Sequence, residues 1–157
     1  MLDVFVPGRP APQGSKRNLG NRRMVESSAG VAPWRADVRA EVLAAMGARG
    51  HRGFRRGTPV WVRLEFVLPR PVSTPKRRTP PAVKRPDLDK LTRAVLDALT
   101  SAGLFADDSQ VVELRPLKRL AELDETAGCR ITVAVYGTQS VATPLPGTTT
   151  LGGPESA

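Results

Sequence analysis

Six prolines and six Lys/Arg share the 18 residues of segment 69–86, PRPVSTPKRRTPPAVKRP. Proline fixes φ and lacks a backbone N–H, so a run this dense argues against helix and interior strand alike. The chain must therefore fold as regular segments on either side of a long, positively charged loop. Before the loop, Val60, Val62, Leu64 and Phe66 alternate with Trp61, Arg63, Glu65 and Val67, the period of a strand with one face in a core. After it, Leu88, Leu91, Val95, Ala98, Leu99 and Ala102 follow helical spacing, and Gly103 is placed to end the helix.

The remaining segments read more simply. Leu2, Val4 and Val6 alternate with Asp3 and Phe5, giving a short first strand. The stretch RPAPQGSKRNLGNRR has no periodicity and reads as a long basic loop. Pro33 opens a helical pattern carried by Trp34, Val38, Val42, Ala45 and Met46, with Gly47 and Gly50 near its stop. Residues 109–117 and 130–136 read as strands. The expected order is β-α-β-α-β-β, an α/β (α+β) layer in which two helices pack on a mixed sheet. It occupies residues 1–137, and 138–157, rich in Thr, Pro, Gly and Ser, reads as a disordered tail.

Composition excludes several chemistries. One cysteine, Cys129, allows no internal disulfide, and with a single histidine zinc chemistry is nearly excluded. His51 lies in a basic, glycine-broken stretch and reads as an exposed loop residue, which leaves no Ser-His-Asp mechanism unless it is built there. No apolar run is long enough to cross a bilayer and none resembles a signal peptide, so a reducing cytoplasm is the expected compartment. The net charge of +9 is unevenly spread: residues 1–86 carry a net of +13 and residues 87–157 a net of −4. Basic residues draw phosphates by releasing counterions, and clustered carboxylates can hold a metal. A basic solubilising surface would give the same totals.

The acidic cluster lies within 85–112, RPDLDKLTRAVLDALTSAGLFADDSQVV. Asp87 and Asp89 stand at the entrance of the second helix; Asp107 and Asp108 stand just beyond it, before a strand. Taken alone, Asp87 would serve as a helix cap and Asp107-Asp108 as a polar turn. Two aspartates at i and i+2 converge only if the first lies in extended chain or at the cap. Arg93 is one turn beyond Asp89 on the same face. The helix separates the pairs by about 20 Å, so either the chain after it runs straight back or Asp108 reaches a site in a partner chain. Oxygen-only ligands without His or Cys suit Mg²⁺, with Mn²⁺ as substitute, and such a metal activates water and neutralises charge on a phosphate.

The same segment resembles the signature of the RusA family of Holliday junction resolvases, which phages and prophages also carry. The likeness rests on Asp87-Leu88-Asp89 at a helix start, a basic residue (Arg93) four positions on, and Asp107-Asp108 ahead of Gln110-Val111-Val112. It implies a homodimeric, Mg²⁺-dependent crossover junction endodeoxyribonuclease with no organic cofactor. By that resemblance Asp87, Asp89 and Asp108 are catalytic metal ligands, Asp107 a helper ligand, and Arg93 stands in for a catalytic lysine. Lys90 occupies a position where the family commonly carries an amide, and PAPQGSKR differs from the Asn-rich version of that loop.

Lys16, Arg17, Arg22 and Arg23 in the first loop, Lys76, Arg77, Arg78, Lys84 and Arg85 in the second, and Lys90 are the candidate DNA contacts. With only Trp34, Trp61, Tyr136 and four Phe available, base stacking is not expected to be the main contact. Trp34 and Trp61 read as core or dimer residues. Recognition by backbone and junction shape is expected instead. Two other readings share the basic loops: a non-catalytic nucleic-acid-binding protein, and a metal-dependent nuclease for flaps, single strands or RNA.

Overall fold

The computed structural model describes residues 1–14, 16–18, 24–26 and 30–138. In chain order the elements are β1 (Leu2–Pro7), β2 (Lys16–Asn18), β3 (Met24–Glu26), α1 (Val31–Ala48), β4 (Val60–Leu68), α2 (Leu88–Ser101), β5 (Val111–Leu120) and β6 (Gly128–Val135). Strands β1, β6, β4 and β5 form one mixed sheet in that order, and β2 pairs with β3 in a separate hairpin. Among the described strands of that sheet, only β4 and β5 run parallel. Parallel neighbours need a crossover, and the basic loop plus α2 supply it.

The alternation in β4 does what its sequence predicts. Val60, Val62, Leu64 and Phe66 are fully buried, beside Leu2 and Val6 of β1 and Cys129, Ile131 and Val133 of β6. Each large side chain so buried contributes about 1.5–3 kcal/mol. Both helices seal this face. From α1 come Trp34, Val38, Val42 and Met46, one per turn; from α2 come Leu91, Ala94, Val95, Ala98 and Leu99. Pro33 sits in the first turn of α1, where its missing N–H costs nothing. The opposite face carries Phe5, Trp61 and Leu117, each half-buried, with the ion pairs Asp3–Arg130 and Glu65–Arg119. Trp34 is thus core, whereas Trp61 lies on the sheet face that carries no helix.

Three expectations need correction. The stretch read as a long basic loop contains strand β2, which pairs with β3 just beyond its end; three-residue strands are too short for a period to show. The strand expected from Ser109 begins at Val111, because Asp108–Gln110 form a 3-10 turn, and it runs on to Leu120. His51 is half-buried rather than exposed: its Nδ1 accepts a hydrogen bond from Gly53 N–H at 3.0 Å and its ring meets Phe54 edge-on. Of the expected tail, only Thr138 lies within the described residues. Among the described residues, no helix is long and apolar enough to cross a membrane.

Candidate active site

Asp87 is the N-cap residue of α2, in extended conformation at φ −74° and ψ 139°. Its side chain makes no capping hydrogen bond. The carboxylate instead meets Lys90 Nζ at 3.3 Å, both groups being about half exposed. Capping is therefore not the use this structure makes of Asp87. Asp89 follows in the first helical turn, exposed, where the positive end of the helix favours its charge. Arg93, also exposed, stands one turn further along that face and forms no ion pair among the described residues.

Two contacts that no local sequence pattern reveals fix this end of α2. Lys118 of β5 donates from Nζ to the carbonyl oxygens of Lys84 and Pro86, at 2.9 and 2.8 Å, tying down the chain that enters the helix. Gln13 donates its backbone N–H to Lys90 O at 3.0 Å. The Gln13 side chain is buried, and its Oε1 has no hydrogen-bond partner among the described residues.

The other acidic pair lies at the opposite end. Gly103, at φ +71°, turns the chain out of α2. Leu104 N–H bonds to Leu99 O and Gly103 N–H to Thr100 O, the paired bonds of a Schellman stop. Buried Leu104 and Phe105 then anchor the turn, and Phe54 N–H holds Leu104 O at 2.7 Å. Asp107 caps the 3-10 turn by accepting from Ser109 N–H at 2.9 Å. Hydrogen bonding from the Ser109 side chain and backbone, with the Arg56 charge adding to it, holds its carboxyl below the ordinary value. Buried Gln110 uses its whole amide here: Oε1 accepts from Ala106 N–H, and Nε2 donates to Arg55 O and Thr58 O. Asp108 is left as an exposed carboxylate without an ion pair among the described residues.

The two pairs do not meet within one chain. The 14 residues of α2 rise about 21 Å at 1.5 Å each. The second route agrees: Asp108 precedes the start of β5, Lys118 near its end contacts Pro86, and seven strand steps cover about 23 Å. Among the described residues, no three His, Cys, Asp or Glu side chains gather closely enough to hold a metal ion. Each pair alone has the exposed oxygen ligands that a hard cation takes. Among the described residues of a single chain, the two acidic pairs therefore stay separate and do not form one metal site.

Segment 69–86 carries Lys76, Arg77, Arg78, Lys84 and Arg85 in exposed positions leading directly into Asp87. It has no regular secondary structure, as its prolines require, yet it is held from inside. Arg70 donates to Thr79 Oγ1 at 2.5 Å, Pro75 O at 2.6 Å and Ala121 O at 3.1 Å. By sequence Arg70 is one more positive charge in a basic run; only its long-range partners distinguish it. Of the other candidate contacts, the side chains of Lys16 and Arg17 and the whole of Arg22 and Arg23 lie outside the described residues.

Comparison with known proteins bears on this arrangement. The curated relatives it matches include the crossover junction endodeoxyribonucleases RusA of Escherichia coli (strain K12) and Shigella sonnei (strain Ss046) and rusA of Enterobacteria phage 82. Each is 44% identical over 55 residues, which are 35% of this chain and 46% of the relative. The chain thus matches somewhat less than half the length of these relatives. The family described as Endodeoxyribonuclease RusA matches far more, from residue 7 to residue 135, taking in β4, β5 and β6, both helices and both acidic pairs, but only the last residue of β1. The chain belongs to the RusA endodeoxyribonuclease family.

Proposed function

We propose that this protein is a homodimeric, Mg²⁺-dependent endodeoxyribonuclease that resolves four-way DNA junctions in recombination and repair, in the cytoplasm. The reading rests on one observation above the others. Exposed carboxylates stand at both ends of α2, about 20 Å apart, with a five-cation loop running into one of them. Asp87 and Asp89 of one copy and Asp108 of a second copy then complete a site that neither copy holds alone. The edge strand β5 supports such a contact, since its exposed Val112 and Leu114 follow just after Asp108. A two-fold dimer of this kind carries two equivalent sites, matching the two symmetric cuts a junction needs.

Held at these carboxylates, Mg²⁺ would supply activation of the attacking water and neutralisation of charge on the scissile phosphate, with Mn²⁺ as substitute. The chain's own residues do the rest. Arg93 presents a planar cation to the phosphate oxygens, suited to the charge that builds there. Lys76, Arg77, Arg78, Lys84 and Arg85 hold the flanking backbone without reading sequence. Lys90 neutralises part of the charge on Asp87, and Asp107 fixes the turn that presents Asp108.

The test is cleavage of a synthetic four-way junction beside a linear duplex of the same sequence, with and without Mg²⁺. The expected result is paired symmetric nicks in the junction alone, dependent on the metal. Equal cutting of duplex, flap and junction would discard the junction substrate, and binding without cutting under any divalent ion would discard the enzyme.

A further inference from the structure

The geometry points to a receiving cleft for one unstacked DNA base, beneath the basic loop and beside Asp87; this assignment rests on the nuclease reading above. The cleft has a volume of about 500 Å³ and is floored by Leu68 and Leu120, the last residues of β4 and β5. It therefore opens at the carboxyl ends of the parallel strand pair and beside the N-terminus of the following helix. In open α/β sheets, ligands bind in crevices outside the carboxyl ends of the parallel strands, the side on which this cleft lies. Its walls are largely proline, and the wall formed by Arg85 and Pro86 continues directly into Asp87.

The chemistry of the lining selects the occupant. Arg9, Lys84 and Arg85 stand at the cleft, and among the described residues lining it none is acidic. An apolar slot rimmed by cations suits a flat heteroaromatic group attached to phosphates. Ser73 and Thr74 add hydroxyls that can donate to or accept from a base edge. The volume exceeds that of a base with its sugar and falls within the usual range for small-ligand sites. Proline walls lose no side-chain freedom on contact, so binding there carries little entropic penalty. The loop is already held in place by Arg70 on one side and Lys118 on the other, so the cleft exists before DNA arrives. Unstacking costs least for a nucleotide whose pairing or stacking is already disturbed, and the point of strand exchange is where a junction interrupts the regular duplex. Docking that base sets the position of the neighbouring phosphate relative to Asp87 and Asp89, which gives a backbone-reading enzyme a point of sequence discrimination.

The probe is a four-way junction carrying 2-aminopurine, whose fluorescence rises when it leaves the base stack, at each crossover-flanking nucleotide in turn. Binding is followed without divalent metal, so that no strand is cut. The expected result is a several-fold rise at one position, abolished by Ala82→Leu, which fills the cleft from one wall, while junction binding through the loop cations persists. Ser73→Leu blocks the mouth from an exposed position that does not disturb the core, and should abolish the rise equally. No rise at any position, or a rise that survives both substitutions, overturns the cleft assignment. If junctions are still bound and cut in that case, the nuclease reading stands; a protein that neither binds nor cuts junctions overturns both.

Discussion

Arg93 sits one helical turn beyond Asp89 with its guanidinium in solvent and no acidic partner among the described residues. An unpaired cation beside exposed carboxylates is a poor stabilising device, since surface pairs contribute at most about 1 kcal/mol, and a good phosphate contact. Arg93→Ala should therefore leave the melting temperature nearly unchanged and slow single-turnover junction cleavage by about 100-fold. Arg93→Lys should recover part of that loss, because the charge returns without the two-pronged fork. A wild-type cleavage rate in Arg93→Ala would remove Arg93 from the chemistry. The role of Asp87 was open to sequence reading in outline: Pro86 and the helix start placed it in extended chain at the cap. That its carboxylate would meet Lys90 and not the helix N–H groups was not readable, because cap and ion pair need the same residues. Gln13 and Lys118 gave no signal at all. Their partners lie far away in sequence, and only the closed fold brings them to Asp87.

At the scale of elements, long alternating or helical segments were legible and short or conditional ones were not. β4 and α2 show their buried faces directly in Val60, Val62, Leu64 and Phe66 and in Leu91, Val95, Ala98 and Leu99. The β2–β3 hairpin is too short for any period, and the 3-10 turn at Asp108–Gln110 depends on buried Gln110 bonding to the chain at Arg55 and Thr58. The basic loop was legible as a loop, but not as an ordered one. Arg70→Ala removes its internal anchor, so trypsin should cut at Lys76, Arg77 and Arg78 markedly faster while the rest of the chain stays resistant. Unchanged proteolysis would show that the prolines alone order the loop. The end of β5 carries a second prediction. Arg119 bonds to both carboxylate oxygens of Glu125 and holds its carboxyl down to about 2, from an ordinary 4.5. A lowered carboxyl stabilises the fold above its unfolded value and loses that contribution as pH falls from about 4.5 towards 2. Glu125→Gln should flatten the dependence of melting temperature on pH in that window, and an unaltered slope would assign it to other carboxyls.

For the whole molecule, the unresolved choice in the sequence was whether the chain after α2 runs back to Asp87 or delivers Asp108 to another copy. The structure sends it away: the stop at Gly103 and the anchoring of Leu104 and Phe105 place Asp108 at the far end of the helix from Asp89. If the active site is assembled from two chains, as proposed, mixing two inactive variants should restore it. Asp89→Asn and Asp108→Asn should each abolish junction cleavage as homodimers. Unfolded together and refolded, they form mixed dimers in which one site carries both substitutions and the other carries neither. Cleavage should then return to about a quarter of the wild-type site activity, as single nicks, since half the dimers are mixed and each has one intact site of two. If all three carboxylates act within one chain, every site in the mixture carries a substitution, and a mixture as inactive as its components would rule out the shared site.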